Sequence, residues 1–177
     1  MSKSLLAISL AALLPVSAMA AETSGGTVNF TGSVVTSACA IGSDSANIDV
    51  ELGQVRTASL ATAGSEASTS KAFSIVLEDC DTTVSKAVAV TFSGTPDAND
   101  AASLAVGSNG GTGSAQNVAI RLYDEQGTVV KLGESAGAVT LRNGENNLNF
   151  SAKYYSPKGT ATAGDASAVA TYTLTYS

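Results

Sequence analysis

The final run of the sequence alternates strictly between large apolar side chains and threonine. Tyr172, Leu174 and Tyr176 are separated by single threonines, which is the period-two pattern of a β-strand with one buried face. The sequence ends one residue after Tyr176, and no turn or return strand follows. We therefore expect the far edge of this strand to lack a partner from its own chain.

The same alternation recurs in about seven short runs, separated by turn signals such as Asn143-Gly144 and Ser156-Pro157. Short strands with this punctuation predict an all-β sandwich. A short helix between residues 57 and 70 is only weakly signalled, and Gly107 to Ser114 is predicted to be an exposed loop. The predicted strand regions are 28–35, 47–52, 73–77, 88–93, 118–122, 148–154 and 169–176.

One alternating run lies near the start of the chain, after the flexible pair Gly25-Gly26. Val28, Phe30, Gly32 and Val34 are separated by polar residues. The chain thus has a spare strand at one end and a strand too few at the other. If the spare strand of one copy completes the next copy, the function is polymerisation.

Residues 1–20 have the features of a secretory signal peptide. Lys3 supplies a positive start, Leu5 to Leu14 is a short apolar core, and Ala18-Met19-Ala20 fits the small-residue cleavage rule. We expect cleavage after Ala20, with Ala21 as the alternative. The apolar run is too short to span a bilayer, so we predict an exported mature chain without a membrane-inserted segment.

Composition argues against several partner classes. The whole chain has nine basic and fifteen acidic residues, a net charge of −6. Removal of Lys3 with the signal peptide leaves eight basic residues and a charge of −7. An acidic domain without basic clusters is a poor binder of nucleic acid or of anionic membranes. We therefore predict no nucleic-acid partner.

The two cysteines, Cys39 and Cys80, form an even pair in a chain predicted to be exported. This pattern favours one disulfide bond, which would stabilise the fold by roughly 4 kcal/mol in the chain-entropy account. Two unpaired buried thiols are the alternative. A metal site is disfavoured, because no histidine and no further cysteine can complete it.

The sequence argues against an enzyme mainly because residue types that catalytic sites commonly need are missing. The chain has no histidine, so it cannot build a Ser-His-Asp or Cys-His arrangement. The Gly-rich loop lacks the Gly-Lys-Ser/Thr of a phosphate cradle. Spacing alone leaves a two-carboxylate glycosidase open, although no acidic pair lies in an aromatic-rich context. We predict no catalytic function, no cofactor and no metal.

Several motifs in order resemble those of chaperone–usher pilins, and of the major rod subunit of type 1 fimbriae in particular. The segment 25–35 followed by Ala38-Cys39-Ala40 resembles the N-terminus of that family. Residues 52–60 and 79–82, together with the penultimate Tyr176, fit the same family. The resemblance covers essentially the whole mature chain.

The resemblance implies an incomplete immunoglobulin-like β-sandwich that lacks its final strand and is completed in trans by a donor strand. A hydrophobic groove would lie between the first and final strands. A periplasmic pilus chaperone would fill the groove and bind the C-terminal strand by β-augmentation. At an outer-membrane usher, the N-terminal extension of the next copy would replace the chaperone strand, so the partners would be chaperone, usher and copies of this chain.

The resemblance also assigns roles to residues of this sequence. Cys39 and Cys80 match the pilin disulfide. The other assigned residues are the donor set Val28, Phe30, Gly32 and Val34, and the acceptor edge and chaperone contact Tyr172, Leu174 and Tyr176.

These expectations give a domain organisation and a ranking of functions. We predict a signal peptide at 1–20, a donor extension at 21–36 and a pilin body at 37–177. The predicted function is a structural subunit of a fimbrial shaft, exported through the periplasm to the cell surface. The alternatives are a minor adaptor or terminator subunit and, in a different class, a monomeric secreted carbohydrate-binding β-sandwich.

Overall fold

A computed structural model describes residues 25–107 and 113–177. The predicted signal peptide lies outside these residues, and so does most of the predicted loop between Gly107 and Ser114. The chain divides into two units between Val34 and Val35, and each is described here by itself.

In the larger unit, eleven strands and two short 3-10 helices make up the regular structure of the described residues. The helices are Ser43–Ser45 and Thr57–Leu60. The strands are β1 Ala40–Ile41, β2 Ser65–Glu66, β3 Lys71–Cys80, β4 Ala87–Gly94, β5 Pro96–Asp97, β6 Asp100–Ala105, β7 Ala119–Asp124, β8 Val129–Val130, β9 Val139–Thr140, β10 Gly144–Ser156 and β11 Ala170–Tyr176.

The strands form two sheets. The larger sheet has the order β1-β3-β10-β7-β6-β5, with β2 added to β10 and β8 added to β7. The smaller sheet has the order β11-β4-β9. All of these strand pairs are antiparallel. The predicted all-β sandwich is confirmed.

The core lies between the sheets because the apolar side chains of each alternating strand share one face. Ile75 and Leu77 of β3, Leu148 of β10 and Val88 of β4 are almost fully buried. Phe92 of the smaller sheet meets Phe150 of the larger sheet edge to face, with 4.9 Å between ring centres. Such a contact adds about 0.5–1.5 kcal/mol to the gain from burial.

Five of the predicted strand regions are strands in the structure, although the observed ends differ from the predicted ones by one or more residues. They are 73–77, 88–93, 118–122, 148–154 and 169–176. The weakly signalled helical region contains the 3-10 helix Thr57–Leu60. The prediction of a strand at 47–52 is wrong, because no ladder forms there. Residues 28–35 also form no strand within this chain, since a strand exists only beside a partner that accepts its hydrogen bonds.

Candidate functional site

The strand β11 has one paired edge and one open edge. Its paired edge lies against β4. The residues Ser177 and Ala87 exchange both backbone hydrogen bonds, at 3.0 and 2.9 Å. In an antiparallel ladder such pairs alternate with pairs whose backbone groups point away. The backbone N–H and C=O groups of Tyr172, Leu174 and Tyr176 therefore point to the open edge, where no described strand receives them.

The three side chains of this set face inward while their backbone groups face outward. Tyr172, Leu174 and Tyr176 are half-buried and pack against the core, whereas the intervening threonines are exposed. Burial raises the pKa of Tyr172 and of Tyr176 above the ordinary value for tyrosine. The strand thus presents both an apolar face and an unused row of hydrogen-bonding groups.

A second segment with unused backbone groups is residues 47–55. Ile48, Val50 and Leu52 are half-buried and the residues between them are exposed, which is the burial pattern of a strand. No backbone–backbone hydrogen bond joins residues 47–55 to the rest of the described chain. Among the described residues, the hydrogen bond that reaches this segment comes from the hydroxyl of Tyr154, which donates to the carbonyl of Gly53 at 3.4 Å.

A cleft of about 630 Å³ separates this segment from residues 161–168, which lead into β11. Its walls come from residues 50–57 and 161–168, and its interior contains Leu60, Val118 and Ile120. The 161–168 wall is rich in alanine, so it leaves room beside the core. We call the cleft, together with its continuation along the open edge of β11, the groove.

The groove continues to β11 because Tyr172 reaches the start of the opposite wall. Its hydroxyl donates a hydrogen bond to the backbone carbonyl of Ser45 at 2.8 Å. Ser45 is itself fixed, since its hydroxyl oxygen accepts the N–H of Val76 of β3 at 2.8 Å. The side chain of Tyr172 therefore reaches from β11 to Ser45, which lies just before the 47–55 segment.

The 161–168 wall is held by close backbone packing. A Cβ atom at Gly164 would collide with the backbone nitrogen of Ala115, and one at Gly159 would lie 2.7 Å from the carbonyl oxygen of Ala61. Only glycine permits such approaches. One wall is thus anchored to neighbouring backbone, whereas the 47–55 wall is held mainly by side-chain packing.

The smaller unit contains the four predicted donor residues. The described segment 25–34 has no regular secondary structure. Phe30 is 92% exposed, Val28 74% and Val34 101%, and Gly32 has nothing within 4 Å of its Cβ position. Large apolar side chains exposed to this degree are costly unless another surface covers them.

The predicted disulfide is present, and Cys39 is bonded to Cys80. It joins the residue before β1 to the last residue of β3, and both cysteines are buried. The bond therefore fixes the start of the body against the long strand β3 of the larger sheet.

Sequence reasoning identified β11 as one side of the groove but missed most of the rest. Residues 47–52 were predicted to be an ordinary strand, and the alanine-rich wall 161–168 was not recognised as part of a site. The available signal was the run Ala161, Ala163, Ala166 and Ala168 directly before β11, since small residues beside a strand leave space for another element.

The described residues give no support for a metal or a membrane-spanning helix. Within 25–107 and 113–177, no group of three or more histidine, cysteine, aspartate or glutamate residues could hold a metal ion. Within the same ranges, no helix has the length and apolar character needed to cross a membrane.

Comparison with known proteins gives a consistent family. The model of the family described as fimbrial protein matches residues 28–177. The chain is 39% identical over 176 residues to the probable major fimbrial subunit LpfA of Escherichia coli O157:H7, covering 99% of this chain and 97% of the relative. It is 42% identical over 174 residues to the type-1 fimbrial protein A chain of Escherichia coli strain K12, covering 96% and 94%.

A solved structure agrees with these relatives. A chain from a chaperone–usher pilus, solved in a study of rod uncoiling, matches with a TM-score of 0.75 and 30% identity, covering 90% of this chain and all of that one. The predicted immunoglobulin-like pilin fold is thereby confirmed. The chain is a structural subunit of a cell-surface fimbrium, and it belongs to the fimbrial protein family.

Proposed function

We propose that this chain is a shaft subunit that polymerises head to tail by donor-strand exchange. In this proposal, residues 21–36 of one copy fill the groove of the next, and residues 37–177 form the accepting body. Residues 1–20 direct export and are removed. Val28, Phe30 and Val34 are the donor side chains, Gly32 is the donor glycine, and Tyr172, Leu174 and Tyr176 form the accepting edge.

The observation that carries the proposal is the pair of unused backbone rows on the two sides of one groove. The open edge of β11 and the segment 47–55 both lack ladder partners among the described residues. A strand inserted between two neighbouring strands lies about 4.8 Å from each of them and can bond to both. Its insertion would satisfy backbone groups that no described strand of this chain satisfies.

The donor segment has suitable chemistry for this role. Residues 25–35 contain no charged side chain, so their burial removes no charge from water. Burial of Val28, Phe30 and Val34 would contribute roughly 1.5–3 kcal/mol for each side chain. The binding energy comes from completion of the fold, and no nucleotide is required.

The geometry of the exchange favours a filament. The donor and acceptor surfaces are different, so each contact is heterologous and leaves one of each surface open at the ends. Before assembly the groove and its open edge are an aggregation hazard. We therefore propose that a periplasmic chaperone covers them by β-augmentation and that an outer-membrane usher is the place of exchange.

A role in the shaft is supported by the names of the relatives. LpfA is described as a probable major fimbrial subunit. A subunit of the shaft needs both a donor strand and an acceptor groove, and this chain has candidates for both. We therefore propose the major subunit role in preference to an adaptor or terminator.

The test is a substitution that removes donation but leaves acceptance. We expect mature chain with Phe30→Asp to accept a peptide spanning residues 22–36 but to form no fibres alone, because a carboxylate cannot enter an apolar groove without a large desolvation cost. Size-exclusion chromatography and electron microscopy would measure fibre length, and fluorescence anisotropy would measure peptide capture.

The matched control is Thr31→Asp, which adds the same charge on the polar face of the same segment. We expect this variant to form fibres. Fibres of normal length from pure Phe30→Asp chain would contradict donation by residues 28–34. Failure of the Phe30→Asp chain to capture the peptide would contradict the groove as acceptor.

A further inference from the structure

The residues that line the cleft include acidic side chains and no lysine or arginine. No lysine or arginine occurs between Lys3 and Arg56, and none follows Lys158. The sides of the groove over residues 44–55 and 161–176 fall within these stretches, and Arg56 directly follows the first of them. Their charged residues are Asp44, Asp49, Glu51 and Asp165.

Two of these carboxylates lie at the cleft itself. Glu51 comes from one wall and Asp165 from the other, and both line the cleft. Tyr154 lines the same cleft; burial raises its pKa, and the negative charges of Asp165 and Glu51 raise it further. Neither forms an ion pair with another described residue.

The chain's own donor segment has no basic side chain to complement the negative charge of the groove. Residues 25–35 are uncharged. Without Lys3 and Glu22, the whole-chain counts of nine basic and fifteen acidic residues become eight and fourteen, so residues 37–177 carry a net charge of −6. A second copy therefore approaches the groove with no electrostatic attraction from its donor and with repulsion from its body.

A strand with basic residues on its outward face would be attracted instead. Charges of one sign along a cleft raise the local concentration of the opposite charge and speed up association. Because Glu51 and Asp165 are exposed, the effect on affinity should be modest, while the effect on the association rate and its dependence on salt should be larger.

We propose that the acidic rim selects, as the occupant of the groove before polymerisation, a partner protein whose inserted strand carries lysine or arginine on its outward face. The inference rests on the proposed function, since it assumes that the groove accepts a strand. It adds the chemistry of the partner: a basic strand enters faster than the neutral strand of a second copy, and added salt removes that advantage.

The experiment uses three fluorescent peptides spanning residues 22–36. One has the native sequence, one carries Thr31→Lys with Ser33→Lys, and one carries Thr31→Glu with Ser33→Glu. Both positions lie on the polar face of the donor segment, so its groove-filling side chains are unchanged. The acceptor is the full mature chain with Phe30→Asn, which removes its donor side chain without adding a charge.

We expect the lysine peptide to associate about two- to fivefold faster than the glutamate peptide at low ionic strength. The ratio should approach one in about 1 M salt, where the Debye length is about 3 Å. It should also fall in an acceptor with Glu51→Gln and Asp165→Asn. It should persist in a control acceptor with Glu125→Gln and Glu145→Gln, which has the same net charge change on exposed residues that do not line the cleft.

The outcomes separate this inference from the proposed function. Equal association rates for the three peptides, with firm binding of the native one, would overturn the acidic selection and leave the groove as a strand acceptor. Loss of the ratio in the control acceptor as well would assign the effect to net charge and would also overturn it. Failure of the native peptide to bind would overturn the proposed function, and this inference with it.

Discussion

Tyr172 illustrates at the scale of one residue how the two walls of the groove are held. Its ring packs 6.5 Å from that of Phe92 in the core, while its hydroxyl bonds to the carbonyl of Ser45 on the other wall. The alternation of the last run predicted an inward-facing tyrosine. The partner could not be predicted, because it is 127 residues away in the sequence and is a backbone group with no residue-type signature.

We expect Tyr172→Phe to lower the free energy of unfolding by about 1 kcal/mol, the usual net value of one hydrogen bond. The ring and its packing on Phe92 would remain. Urea unfolding of the Phe30→Asn chain, with and without this change, would measure the difference. Tyr176→Phe is the matched control, because its hydroxyl has no hydrogen bond to a described residue. Equal losses from both substitutions would contradict a role for the Ser45 contact.

At the scale of elements, an ionic cluster joins four strands on the outer face of the larger sheet. Arg121 of β7 bonds to Asp100 of β6 at 2.6 Å and lies 3.6 Å from Glu66 of β2. Its guanidinium lies over the ring of Tyr155 of β10, 3.3 Å from the ring centre. Side chains as well as backbone bonds thereby tie β2 to β10 and β6 to β7.

The cluster predicts acid sensitivity. Burial alone would raise the pKa of Asp100, but hydrogen bonds from Ser103 and Arg121 lower it below the ordinary value of 3.8. A carboxyl whose pKa is lower in the folded state stabilises the fold above its unfolded value, and this contribution is lost as the pH falls through the folded value. We therefore expect Asp100 to contribute to loss of stability below about pH 4.

The measurement is the urea midpoint between pH 7 and pH 2 for the native and Asp100→Asn chains, both in the Phe30→Asn background. The native chain should be the more stable at pH 7, and the difference should shrink below about pH 4. Glu125→Gln serves as the control, because Glu125 is exposed and forms no ion pair with a described residue. A difference that stays constant over this range would contradict the assignment.

The strands that sequence predicted correctly each pair with at least one other strand of the described chain. Long alternating runs such as β3, β4 and β10 bury one face and pair within the chain, so their pattern decides their structure. The two-residue strands β1, β2, β5, β8 and β9 carry no periodicity and could not be found in this way. Residues 47–52 have the right pattern but no partner among the described residues, so the same reasoning predicted a strand where no ladder forms.

At the scale of the whole molecule, the donor and acceptor halves of one proposed contact belong to the two separate units of the chain. The donor residues Val28, Phe30 and Val34 are exposed in the first unit, and the groove lies in the second. The sequence pattern predicted both halves, since each is an alternating run. It could not give the width, the charge or the opposite wall of the groove, which depend on contacts between distant segments.

The strongest test at this scale supplies the missing strand within one molecule. We expect a chain with a second copy of residues 22–36 after Ser177, joined by a short Gly/Ser linker, to fold as a monomer that forms no fibres. A linker lets the strand return beside β11 as a hairpin, and a tethered strand competes at an effective millimolar concentration. Burial of three apolar side chains should raise the urea midpoint by about 2 M or more over the Phe30→Asn chain. The control carries the same addition with Phe30→Asp in the appended copy. Equal midpoints for the two versions, or continued fibre formation by the first, would show that the appended strand does not complete this fold.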